Sequence, residues 1–325
     1  MSTSAAPDIS VVIPVHDAAD TIERLLAAFE RVPDCSVELI AVDDASTDGS
    51  RAIVRAAHEA GRITAVYHAA NAGAGVARNT GFAVASGRYC LFFDADDEVV
   101  PETVARCVQV LDDTGASVAV TPYRYRRSML DDYDAMNVHD VDVWTSYAVP
   151  GQVRVARLRD VPRLLGFSNY PWNKVVRTEH YRAAGLRFGS TPVNNDILGH
   201  WMTLLHADRI ALVDDVMCTH VVVEGGANLS LRHSRERLAL FDALDETYDH
   251  LEAHPHLRNR YSHHYWASAL RVADWARVRI NAEIEEEFLL RLQRHLLRIN
   301  LGDFTRIRTK RNPALADLIV RRTLA

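Results

Sequence analysis

Residues 88–100 read RYCLFFDADDEVV. Tyr89 to Phe93 is a short apolar run, the pattern of a strand buried on both faces of a parallel sheet. It runs straight into Asp94, Asp96 and Asp97. Upstream, Val37 to Val42 (VELIAV) ends in the same way, on Asp43 and Asp44. Packing does not require acids at two strand ends, and neighbouring carboxylates raise one another's pKa. A positive group is therefore expected between them. On an extended segment, residues i and i+2 point the same way, so Asp94 and Asp96 can reach one site. Oxygen donors of this kind suit Mg²⁺ or Mn²⁺, which fills its remaining positions with water and phosphate oxygens. Taken alone, an Asp-Ala-Asp is as easily a helix cap, and Asp48 and Asp97 read as caps.

Outward from this stretch the chain alternates strand and helix. Ile9 to Pro14 (ISVVIP) and Ile63 to His68 are further strands. Asp20-Thr-Ile-Glu23 has the form of a capping box, and Ile22, Leu25, Leu26 and Phe29 then share one helical face. Helices are also predicted from Ser46–Ser50 onward, over Val76 to Ala85 and over Pro101 to Leu111, with a fifth strand over Ala116 to Tyr125. Such alternation predicts an α/β fold, a doubly wound, mostly parallel sheet with helices on both faces. Residues 126–170 lack a clear period and read as an excursion or loop. A helix is expected from Asp196, then strands at Ile210–Val213 and Cys218–Val223. After Arg232 the pattern is all-helical. The division expected is 1–230 for a catalytic domain and 231–325 for a helical C-terminal region.

In an open α/β sheet ligands bind at the carboxyl ends of the strands. His16 and Asp17, Asp43 and Asp44, Asn71 and Gly73, and Asp94 and Asp96 all follow strands and so converge on one edge. The formal net charge of −6 argues against nucleic acid as a partner. Four scattered cysteines without a CxxC indicate free thiols in a reducing cytoplasm. MSTSAAPDIS carries no basic and apolar leader, and no apolar run reaches the length of a membrane span.

Four ordered segments carry a family likeness: ISVVIPVHDAADTIERLLAAF, ELIAVDDASTDGS, NAGAGVARNTGFAVASGRYCLFFDADDEVVPE and YPWNKVVRTEHY. Together they resemble a family 2 glycosyltransferase of the GT-A fold. The resemblance implies a metal-dependent, inverting hexosyl- or N-acetylhexosaminyltransferase using a nucleotide-sugar, UDP-linked above all. It places Pro14, Val15 and Asp17 at the base pocket, with His16-Asp17 where the family commonly has Tyr-Asn. It assigns Asp43 or Asp44 to the uracil ring and Asn71 and Arg78 to the nucleotide and diphosphate, as suits an arginine. It gives Asp94 the ribose and metal, and Asp96 the metal. Asp196, in Pro192-Val-Asn-Asn-Asp196, matches the family's catalytic base; Asn195 stands where Glu is usual. That change removes a like charge and, with the helix N-terminus, eases ionisation of Asp196. The same aspartate also reads as an N-cap. Trp172 matches an acceptor-side tryptophan, or is core. His220 and Asn228-Leu-Ser230 match a segment that closes over the diphosphate, with His220 able to reach the metal.

The cofactor implied is Mn²⁺ or Mg²⁺, and the acceptor a saccharide or polyol-phosphate glycopolymer of a cell wall or surface. From Arg291 onward the tail is basic: Arg291, Arg294, Arg298, Arg306, Arg308, Lys310, Arg311, Arg321 and Arg322 face only Asp303 and Asp317. It offers contact with an anionic acceptor or the anionic inner membrane surface, or self-association. Two other readings stand beside the transferase. One is a non-catalytic nucleotide-sugar-binding scaffold, supported by Asn195. The other is a nucleotidyltransferase, which would carry a Gly-rich phosphate loop after the first strand, where Pro14-Val-His-Asp17 stands instead.

Overall fold

The structure, a computed structural model, describes residues 6–126, 133–222 and 234–324. Its strands are β1 (Ile9–Val15), β2 (Val37–Asp43), β3 (Thr64–Tyr67), β4 (Tyr89–Phe92), β5 (Glu98–Val99), β6 (Val118–Val120), β7 (Tyr123–Arg126), β8 (Tyr133–Asp134), β9 (Val153–Ala156), β10 (Lys174–Arg177), β11 (Ile210–Val213) and β12 (Cys218–Val221). The helices of the first half are α1 (Ile22–Phe29), α2 (Ser50–Glu59), α3 (Ala74–Val84), α4 (Pro101–Thr114), α5 (Val138–Thr145), α6 (Thr178–Ala183) and α7 (Asp196–Leu205). Those of the second are α8 (Ala239–Ala253), α9 (Pro255–Arg277), α10 (Glu285–Leu296), α11 (Leu301–Arg306) and α12 (Pro313–Leu324).

The main sheet runs β3-β2-β1-β4-β10-β6-β11-β9. β1 is buried at every residue, as its β-branched run requires, and pairs in parallel with β2 and β4. The chain winds outward from β1 to β3 and then returns through α3 to β4 on the other side of β1. That reversal makes the carboxyl ends of β1 and β4 the switch point where a crevice opens. α1 buries Ile22, Leu25, Leu26 and Phe29 against the sheet, as their spacing predicts.

Three local expectations are corrected. The Asp20–Glu23 capping box does not form: the N-cap is Thr21, and its hydroxyl turns back to the Ala18 carbonyl at 3.3 Å. The predicted strand over 116–125 is two strands. Pro122 cannot donate to a ladder, so the chain leaves the main sheet after Val120 and Tyr123–Arg126 enters a second sheet, β5-β12-β7-β8. β10 inserts antiparallel between β4 and β6, and the sheet stays mostly parallel, as expected. The stretch read as a loop holds α5, capped by Asn137, whose side chain accepts from Asp140 N, and the edge strand β9.

The helical region packs on the first half rather than apart from it. Trp201 of α7 meets Tyr265 of α9 edge-on at 5.5 Å. Arg271 donates to the Gly166 carbonyl at 2.6 Å. The predicted boundary near residue 230 lies outside the described residues, as does Asn228-Leu-Ser230. The basic tail is less of a cationic face than its composition suggests. Arg298 pairs with Asp245, Asp249 and Glu252, Arg291 with Asp242 and Glu287, Arg306 with Asp303, Arg308 with Asp317, and Arg322 with Asp274. Among the described residues, no helix is long and apolar enough to cross a membrane.

Candidate active site

Asp43 and Asp44 are adjacent and both buried, yet do different work. Asp44 is fully engaged: it accepts from Ala72 N at 2.9 Å, Gly73 N at 2.7 Å and His68 Nδ1 at 2.6 Å. It thereby holds the loop between β3 and α3. Asp43 accepts from Arg51 Nε at 2.7 Å through Oδ2, while its Oδ1 is buried without a partner among the described residues. A buried acceptor left open is costly unless a ligand completes it.

The loop after β1 is tied to its neighbours. Pro14 and Val15 are buried at the strand end. Asp17, in the left-handed region at φ 48°, accepts from Thr47 N at 2.7 Å. That bond lowers its pKa and locks the β1 loop to the β2 loop. His16 Nε2 meets Asn71 Nδ2 at 2.9 Å, and Asn71 Oδ1 accepts from Gly73 N at 3.1 Å. Asp48 is not the cap expected: the N-cap residue of α2 is Gly49, and Asp48 accepts from Ser50 N at 2.8 Å and from Ala19 N at 3.0 Å.

Asp94 to Asp97 form a turn closed by Asp97 N on the Asp94 carbonyl at 3.3 Å. The extended geometry expected of Asp-Ala-Asp is thus replaced by a turn, and the three carboxylates take different partners. Asp94 takes Arg78 Nη2 at 2.5 Å. Asp96 keeps contact with solvent, yet loss of water around it and the charges of Asp97 and Asp94 push its pKa up to about 7. Asp97 turns inward: its Oδ1 accepts from Val221 N at 2.9 Å and meets His220 Nδ1 at 2.8 Å. Its Oδ2 is buried without a partner among the described residues. Burial alone would lower the pKa of His220, but Asp97, with Asp96 and Asp94 behind it, raises it.

Sequence reading undervalued Asp97 as a cap. The missed signal is that the next helix does not begin until Pro101, so Asp97 has no helix to cap.

Arg78 joins the two halves of the site. It is buried, Nη2 on Asp94 and Nη1 on Asn195 Oδ1 at 2.8 Å, with its plane over Phe188 at 5.3 Å. Asn195 also donates to the Thr191 carbonyl at 3.2 Å and is the N-cap residue of α7, so Asp196 is the first helical residue and not the cap. Gly75 makes this approach possible: a Cβ there would lie 1.9 Å from the Gly189 carbonyl oxygen and 2.9 Å from the Asn195 side chain. Asp196 is buried enough that desolvation raises its pKa, against the opposing pull of Arg78. Burial therefore outweighs the easing expected from losing a Glu neighbour.

Lys174 lies buried beneath, its ammonium on the Tyr170 carbonyl and Asn173 Oδ1, both at 2.6 Å. Burial pulls its pKa down to about 7, with Asp196 and Asp140 opposing. Trp172 is corrected from acceptor side to core: it is fully buried and stacks on Tyr170 at 4.4 Å. Tyr170 in turn packs against His220 at 5.1 Å.

Sheet order, acidic turn and the helix start facing it across Arg78 define a GT-A fold. The chain belongs to glycosyl transferase family 2, whose family model matches residues 10–185. The succinoglycan biosynthesis protein ExoO of Rhizobium meliloti (strain 1021) is 35% identical over 114 residues, 35% of this chain and 32% of ExoO. The putative teichuronic acid biosynthesis glycosyltransferase TuaG of Bacillus subtilis (strain 168) is 34% identical over 122 residues, 37% of this chain and 48% of TuaG. The matched stretches thus span a third to a half of these relatives. The crystal structure of S. aureus TarS 1-349 in complex with UDP-GlcNAc matches with a TM-score of 0.75 at 17% identity, covering 98% of this chain and 88% of that chain. This likeness is one of fold.

Proposed function

We propose that the chain is a metal-dependent, inverting glycosyltransferase that moves a sugar from a UDP-sugar to an acceptor hydroxyl of a surface or cell-wall glycopolymer. The observation that carries this reading is Arg78, which ties the acidic turn at Asp94 to Asn195, beside Asp196. The names of ExoO and TuaG support the polymer, and the UDP-GlcNAc bound to TarS supports the donor.

Asp43 Oδ1 is the acceptor for a base N–H, and Asp44 holds the loop that flanks it. The residues fit a hard cation: a crowded carboxylate set whose Asp96 is pushed up to about 7 is relieved by positive charge. Asp96 and Asp94 would hold Mn²⁺ or Mg²⁺. Asp97 on Nδ1 leaves His220 Nε2 to the same ion or to phosphate. When bound, the ion neutralises the diphosphate leaving group. Arg78 steadies the same charge. Asp196 takes the proton of the acceptor hydroxyl while that oxygen bonds to the anomeric carbon. The bond from that carbon to the phosphate oxygen breaks, and UDP leaves with the electron pair from the opposite face. The raised pKa makes Asp196 a stronger base.

The helical region borders the acceptor side. Glu246 of α8 accepts from Ser190 Oγ at 3.3 Å, in the loop leading to Asn195.

The test is UDP release from a panel of UDP-sugars with Mn²⁺, Mg²⁺ or EDTA. Asp196→Asn should lose turnover by about 10²–10⁴-fold, the usual worth of a general base, and still bind UDP. Undiminished turnover in that variant would overturn the mechanism.

A further inference from the structure

Three histidines outside the candidate active site meet where the first half of the chain joins the helical region. His206 is the residue at the C-terminal end of α7. His250 stands in the last turn of α8, and His254 ends that helix. The i, i+4 spacing puts the last two on one face. Their rings lie 4.4 Å apart, with His206 at 5.1 Å from His250 and 5.5 Å from His254. His206 Nε2 and His250 Nε2 are 2.9 Å apart, and one nitrogen from each of the three lies within 4.8 Å of the others.

We propose that His206, His250 and His254 form a binding site for a divalent transition metal of the zinc class, bridging the end of α7 to the end of α8. Two nitrogens bound to one ion at about 2.1 Å stand roughly 3.4 Å apart in tetrahedral geometry. The observed separations, from 2.9 Å to no more than 4.8 Å, bracket that value. His254 Nδ1 lies 2.8 Å from the His250 carbonyl. The carbonyl can only accept, so the proton sits on Nδ1 and Nε2 is bare for a metal. The backbone of His206 is held as well: its carbonyl accepts from His180 Nε2 at 2.8 Å.

The donor set is all imidazole, with no carboxylate. It selects Zn²⁺, Co²⁺ or Ni²⁺ over the Mg²⁺ or Mn²⁺ that the acidic turn suits. His250 is buried while His206 and His254 are half-buried, so the ion has a protein floor and an entry from solvent. Three ligands leave a fourth position for water or another group. A metal here would fasten α7, whose other end carries Asp196, to the helical region.

The experiment titrates tag-free, metal-free protein with Co²⁺ and then Zn²⁺. One equivalent of Co²⁺ should give the intense visible bands of a four-coordinate nitrogen site, displaced by Zn²⁺. Weak six-coordinate bands alone would place the metal on the carboxylates and overturn the proposal. Zn²⁺ should raise the thermal midpoint in a concentration-dependent way. His206→Gln and His254→Gln should each weaken uptake by about 100-fold or more, since even an outer partner of a ligand is worth about 10–100-fold. Mn²⁺-dependent UDP binding should be unchanged in both, which also reports that they are folded. Equal uptake by folded variants and wild type would sink the assignment.

Discussion

Arg78 commits both arms of its guanidinium to protein, one to Asp94 and one to Asn195. A lysine there keeps the charge but cannot span both partners. Arg78→Lys should lower kcat/KM by about 10–100-fold, the worth of one charge-assisted hydrogen bond at 1.5–3 kcal/mol, measured as UDP release. Asn195→Glu restores a like charge beside Asp196. It should move the acid limb of the kcat/KM profile to higher pH, read from a pH series against wild type. Asp96 makes a second pH prediction. Its folded pKa of about 7 exceeds its ordinary 3.8, so between those values the folded chain binds more protons than the unfolded one. Stability of the metal-free protein should therefore fall as pH rises from about 4 to 7. Asp97 and Asp196, also raised, add to the same trend. Thermal midpoints across that range should decline, and Asp96→Asn or added Mn²⁺ should flatten the decline. Much of this was legible at the residue scale, because acids at strand ends have no packing purpose. The choice between Asp43 and Asp44 was not. It depends on hydrogen bonds from Ala72, Gly73 and Arg51, which only the fold brings together.

At the scale of elements, strands with long β-branched runs could be read, and β1 and β2 match their predicted spans closely. β10 could not: four residues, Lys174–Arg177, are too few to show a period of two, and the strand is defined by its neighbours β4 and β6. Trp172 was misplaced for a related reason. An aromatic before a strand looks the same whether it faces a sugar or Tyr170. The contact of α3 with the loop before α7 is set by Gly75. Gly75→Ala forces a methyl group against the Gly189 carbonyl and the Asn195 side chain. It should cost about 1–3 kcal/mol of stability and reduce turnover as well, since Asn195 must shift. Denaturant melts and UDP release check the two effects.

For the whole molecule, the helical region and the first half of the chain are packed against each other. α7 presents Trp201 to Tyr265 of α9, and the tail's arginines answer acids on α8 and α9. A chain ending at Val222 would bare that apolar face. It should be recovered as aggregate or lack near-UV dichroism, whereas the 325-residue chain should show one cooperative transition.

The partners that close the site are far apart along the chain. Arg78 and Asn195 are separated by 117 positions, and Asp97 and His220 by 123. Contacts of such span are entropically slow to form. On the ribosome, the site cannot assemble until α7 and β12 have emerged. Donor binding should therefore be the last property gained in refolding, after the helical signal has largely recovered.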